Sequence, residues 1–175
     1  MHNVRTEKIE QTVAKAASDV TAAKLAINLS GQWNVDEASP QFSGPVKFPA
    51  GEITFSADFP AFLGGDGRAP TPLAYCFYGA MCCYGATFAT QAAMAGVKLR
   101  GMTIGLTLNV DFRTALGVGE FQPMDRFIFT VKVDTDASDE DIQRVKVLAE
   151  ERCPAIWAMQ NPVPFEITAS RAGGV

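Results

Sequence analysis

A chain of 175 residues with 47% hydrophobic side chains has enough apolar surface for one packed core without external staples. Its 15 Lys and Arg against 19 Asp and Glu leave a net charge of -4 and no basic block able to neutralise a run of phosphates, so nucleic acid is not an expected partner. The only histidine is His2, at an end expected to fray, so no internal Cys-His pair or Ser-His-Asp triad can be built and most hydrolase mechanisms drop out.

Met1 to Leu25 mixes Glu7, Glu10 and Asp19 with its lysines and has no apolar core of a secretory signal, which makes the cytoplasm the expected compartment. Residues 1–175 read as one domain in which 1–24 form a helical extension: Ile9, Val13, Ala16, Ala17 and Val20 recur at helical spacing over Thr6 to Ala23. Leu25, Ile27, Leu29, Trp33 and Val35 alternate and predict a strand bent at Ser30-Gly31. Asp36 to Pro45 reads as a loop, and Val46 to Phe48 with Glu52 to Ala57 as two short strands around Pro49-Ala50-Gly51.

The run from Phe59 to Pro72, with Gly64-Gly65-Asp66-Gly67, can continue neither helix nor strand. Thr71-Pro72 then supplies an N-cap and a first-turn proline. From Leu73 to Gly96 no residue is charged, which raises a membrane span. Tyr75, Tyr78, Tyr84, Thr87, Thr90 and Gln91 within it favour a central helix buried on all sides instead. Val97 to Phe112 and Phe127 to Val133 alternate and are expected to pair antiparallel. Ser138 with Glu140 and Asp141 starts an amphipathic helix, Cys153-Pro154 opens a shorter one to Gln160, and Val163 to Ala169 predicts a last strand. This order of elements predicts an α+β fold rather than a doubly wound sheet.

Four cysteines are too few for a disulfide scaffold, and a reducing compartment would confine any bridge to catalysis or regulation. Cys76 and Cys82 read as inert core. Cys76 and Cys83 share a helical face about 10 Å apart, too far for a disulfide, and no C-x-x-C pair offers zinc its ligands. No metal or cofactor is therefore expected. Cys153 is the expected N-cap of its helix, where unpaired N–H groups favour a thiolate, whereas Cys83 is mid-helix in apolar surroundings and needs a nearby cation to react.

Phe59-Pro60, Leu63-Gly64-Gly65-Asp66, Ala69-Pro70-Thr71-Pro72, the small-residue helix with Cys83, and Cys153-Pro154 followed by Asn161-Pro162-Val163 together resemble the OsmC/Ohr family from about Phe48 onward. The resemblance implies two antiparallel sheets around central helices, an intertwined homodimer, and an active site at the subunit interface. It makes Cys83 the peroxidatic thiol and Cys153 the resolving one, acting on an organic hydroperoxide, with an external dithiol such as a lipoyl protein or thioredoxin as reductant. Tyr75, Phe77, Tyr84 and Phe59 are candidates for lining an apolar substrate pocket.

Two departures stand out. The family's Glu after the helix-starting proline is replaced by Leu73 or Ala74, and no arginine occurs between Arg5 and Arg68. Arg68, Arg113 or Lys47 are the candidate substitutes for the activating guanidinium. Loss of that activation would leave a non-catalytic or redox-sensing protein that binds a hydrophobic small molecule, or a thiol that meets some other electrophile through Cys153 alone.

Overall fold

The computed structural model describes residues 1–172. It is a mixed α+β fold with two antiparallel sheets and four α-helices. The first sheet comprises β1 (Gln32–Trp33), β2 (Phe42–Phe48) and β3 (Gly51–Ala57), in that order. The second pairs β4 (Leu99–Thr107) with β5 (Ile128–Thr135), from Leu99 opposite Thr135 to Thr107 opposite Ile128. The helices are α1 (Thr6–Ala16), α2 (Pro72–Met94), α3 (Asp139–Arg152) and α4 (Pro154–Gln160).

The core forms where α2 and α3 cross the β4–β5 sheet. Tyr84, Phe88 and Ala92 of α2 meet Val145 and Ala149 of α3, and Met102, Ile104, Phe129, Val131 and Val133 of the sheet pack against them. Gly85 lets α2 lie close to the sheet, since a Cβ there would stand 2.7 Å from Ile104 Cδ1. Caps fix where the helices begin: Thr71 accepts the Ala74 N–H at 3.3 Å and Ser138 accepts the Asp141 N–H at 3.2 Å. Ahead of α2, Asp58 organises the glycine-rich loop by accepting the N–H groups of Asp66 and Arg68 at 3.3 and 2.9 Å. Those bonds, led by the one from Arg68, hold its carboxyl below the usual carboxylate range against the opposing effect of burial.

Several expectations are corrected. The first helix stops at Ala16 because Ser18 turns back to the Lys15 carbonyl and Asp19 caps a separate 3-10 turn, Val20–Ala23. The expected strand from Leu25 to Val35 shrinks to Gln32–Trp33, and Leu25, Ile27 and Leu29 lie exposed. Pro45, expected in a loop, sits inside β2 opposite Thr54; β1 pairs only with Phe42 and Ser43, so the missing N–H breaks no bond to it. The strand expected to run to Phe112 ends at Thr107, because Asn109 turns to the Asp125 carboxylate. No strand forms over Val163 to Ala169. His2 is held rather than frayed, with Nε2 2.8 Å from the Ala89 carbonyl and Nδ1 accepting the Leu99 N–H at 3.4 Å.

The central helix is not buried on all sides in the single chain. Ala80, Tyr84, Gly85, Phe88, Gln91, Ala92 and Ala93 are buried, but Cys76, Tyr78, Gly79, Cys82 and Ala86 remain exposed. Cys76 and Cys82 are therefore surface residues of the chain, not the core residues their apolar context predicted. Among the described residues, no helix is long and apolar enough to cross a membrane.

Candidate active site

Pro154 determines where the second thiol lies. The residue before a proline is pushed out of the helical region, and Cys153 adopts φ -79°, ψ 114°, ending α3 and preceding α4 as one shared residue. Val145, Ala149 and Cys153 follow at intervals of four, so one stripe of small side chains faces α2 and all three are fully buried. On the other side, Cys83 stands half-buried near the middle of α2. The two sulfurs come within 3.7 Å, with the Cys153 thiol donating to Cys83. The structure thus brings together the two cysteines the sequence singled out, 70 residues apart.

The first turn of α4 serves Cys83 rather than Cys153. Cys153 makes no capping bond through its side chain, whereas the backbone N–H of Ala155 acts to lower the pKa of Cys83. That donor favours the Cys83 thiolate, yet burial acts more strongly and pushes the thiol up, with the neighbouring Cys153 and Cys82 adding to the rise. Proximity to Cys153 was legible from the sequence only through the family resemblance, and the Ala155 donor had no signal beyond the Cys-Pro junction itself.

Each proposed activating cation is engaged elsewhere. Arg68 pairs with Asp66 at 2.7 Å and donates to the Glu37 carbonyl. Arg113 pairs with Asp111 at 2.6 Å and lies 3.5 Å over the Phe121 ring. Lys47 is 3.8 Å from Glu52 on the β2–β3 hairpin. Among the described residues none of the three bonds to Cys83. Nor does any group of three or more His, Cys, Asp or Glu side chains gather there where a metal ion could be held.

The aromatic candidates separate. Tyr75 stacks on Phe55 with centroids 5.0 Å apart and donates to the Ser56 carbonyl, Phe77 meets Phe127 edge-on, and Phe59 belongs to the glycine-rich loop. Tyr84 alone of the four lines a groove of about 790 Å³ that runs between β5, α3 and α4 over Phe88, Phe129, Val131, Ile142, Ile156 and Met159. Burial, with the charges of Glu150 and Cys153 contributing, pushes the Tyr84 phenol up to about 12, so it stays neutral at physiological pH. Neither thiol lines this groove; it shares Tyr84, Phe88 and Ile156 with the buried cluster that holds Cys153 and against which Cys83 packs.

A model of the OsmC-like protein family matches residues 65–168, a span that holds both cysteines. Among solved structures, an OsmC-like protein from Mycoplasma pneumoniae superposes with a TM-score of 0.61 at 16% identity, covering 79% of this chain and 90% of its own. An organic hydroperoxide resistance protein from Elizabethkingia anophelis gives 0.55 at 16% identity, covering 79% and 92%. One from Legionella pneumophila gives 0.51 at 17% identity, covering 78% and 92%. At these identities the likeness shows the fold. No curated protein matches the sequence.

Proposed function

The chain belongs to the OsmC-like protein family, and from that membership we propose that it is a two-cysteine thiol peroxidase that reduces organic hydroperoxides. The observation that carries this reading is the 3.7 Å contact between the sulfurs of Cys83 and Cys153. The Cys83 thiolate attacks the distal oxygen of the hydroperoxide, the O–O bond breaks, and a proton converts the leaving alkoxide to the alcohol. Cys83 is left as a sulfenic acid. The Cys153 sulfur then displaces that hydroxyl as water, forming the Cys83–Cys153 disulfide, and an external dithiol returns both thiols by two exchange steps while itself becoming a disulfide. The Ala155 N–H favours the thiolate form of Cys83 that the first step needs.

The wider setting of this proposal is a cytoplasmic homodimer of single-domain chains. The uncharged exposed flank of α2 supports the dimer, since a second copy would cover it. The names of the Elizabethkingia and Legionella structures support an organic rather than an inorganic peroxide.

The test is to add a slight excess of cumene hydroperoxide to the reduced chain and map disulfides by mass spectrometry, with Cys83→Ser and Cys153→Ser beside it. A Cys83–Cys153 bridge, and a sulfenic acid trapped on Cys83 when Cys153 is absent, are the expected products. Thiols that stay reduced over many minutes would end the peroxidase reading. A second reading, a protein that binds a hydrophobic small molecule without turnover, is favoured by the apolar groove beside Tyr84 and by the raised pKa of Cys83.

A further inference from the structure

Helix α3 ends on Arg152, whose guanidinium donates to Oε1 of Gln91 at 2.6 Å. Gln91 is only 8% exposed and belongs to α2. Residues 83, 87 and 91 follow at intervals of four, so Gln91 lies on the thiol-bearing stripe of that helix, about 12 Å along it from Cys83. Thr87, between them, donates its hydroxyl to the Cys83 carbonyl at 2.9 Å. Two consecutive residues at the end of α3 therefore grip one stripe of α2 at two points: Arg152 at Gln91 and Cys153 at Cys83.

Arg152 stands apart from the other two basic residues of its helix. Arg144 pairs with Asp141 and Lys146 with Glu150, both within α3. Among the described residues Arg152 makes no salt bridge; its polar bond goes across to an uncharged amide on the neighbouring helix. It ties the last residue of α3 directly to α2. Last turns of helices carry unpaired carbonyls and fray, and Cys153 leaves α3 in an extended conformation with no capping bond through its side chain.

We infer that Arg152, through Gln91, is a positioning residue for the disulfide-forming step: it holds the end of α3 so that the Cys153 sulfur remains against Cys83. The inference extends the peroxidase reading, in which Cys83 sulfenic acid and the Cys153 thiol condense to a disulfide and water. It applies equally to oxidised glutathione, which takes two electrons from the two thiols and leaves as two glutathione thiols while the protein disulfide forms.

The experiment therefore uses glutathione rather than a peroxide. The full chain carrying Cys76→Ser and Cys82→Ser is equilibrated across glutathione redox buffers, and the fraction of Cys83–Cys153 disulfide gives the effective concentration of one thiol toward the other. Arg152→Gln and Gln91→Leu are each expected to lower that value about tenfold, and the double variant no further, because both remove one bond. The rate at which iodoacetamide alkylates Cys83 should stay within twofold of the parent, since that reaction needs no Cys153. Gln91→Glu, which keeps an acceptor for the guanidinium, should match or exceed the parent and keeps the test decisive if Gln91→Leu misfolds.

Unchanged effective concentrations, additive losses in the double variant, or an equal loss in alkylation rate would each overturn the inference. So would a parent chain that forms no disulfide at any buffer potential. A parent that forms the bridge with glutathione but ignores hydroperoxide would remove the peroxidase reading and leave this one standing.

Discussion

The backbone N–H of Ala155 acts to lower the pKa of Cys83, although Ala155 belongs to the helix that begins directly after the other cysteine. A single N–H against burial and two neighbouring thiols leaves the Cys83 pKa above its ordinary value. Thiolate, the reactive form, is therefore scarce at neutral pH. With Cys76, Cys82 and Cys153 changed to Ser, the alkylation rate of Cys83 should keep rising with pH beyond the range in which a free cysteine levels off. A plateau at or below neutral pH would instead mean that a cation reaches Cys83.

The Cys83–Cys153 contact depends on α2 and α3 staying packed, and Phe88 is at the centre of that packing at 2% exposed. Phe88→Ala should cost about 3–5 kcal/mol of stability, the usual loss when a buried phenyl ring leaves a cavity. Urea unfolding of reduced protein measures it. A loss below about 1 kcal/mol, the scale of a surface change, would place the structural core elsewhere.

Asp58 anchors the loop before α2 through its bonds to the Asp66 and Arg68 N–H groups. Because its pKa is lowered in the fold, its stabilising effect is full above the ordinary Asp range and is lost as pH falls through the lowered value. Asp58→Asn should accordingly melt at a lower temperature than the parent at neutral pH, and the difference should close in acid. Faster limited proteolysis within residues 61–69 is the companion result. Equal melting temperatures across the pH range would show that the loop holds without this carboxylate.

The elements most legible in the sequence were those with local punctuation. Thr71-Pro72 marked the start of α2, Ser138 that of α3, and Pro154 the break between α3 and α4. The pairing of Cys83 with Cys153 came from the resemblance, because periodicity along a chain says which face a residue takes but not which distant residue meets it. The Arg152–Gln91 bond was hidden for the same reason: it depends on how two helices cross. Alternation at Leu25 to Val35 and Val163 to Ala169 announced strands that want a neighbour, but carries no information on whether the neighbour lies in the same chain.

That last point leads to a prediction. Leu25, Ile27 and Leu29 at one end, and Val163, Phe165 and Ile167 at the other, alternate as strands do yet lie open, with Phe165 88% exposed. Two such segments and the uncharged flank of α2 leave a single chain with an apolar surface that a monomer rarely keeps. A second copy that pairs with these segments would supply the strand hydrogen bonds they lack and bury the alternating side chains. Sedimentation velocity at micromolar concentration should therefore give the mass of two chains. Phe165→Glu combined with Ile27→Glu should shift it toward one, because each places a charge where the apolar face would be buried. A parent chain that sediments as a monomer would remove the dimer and leave these segments without a neighbour in solution.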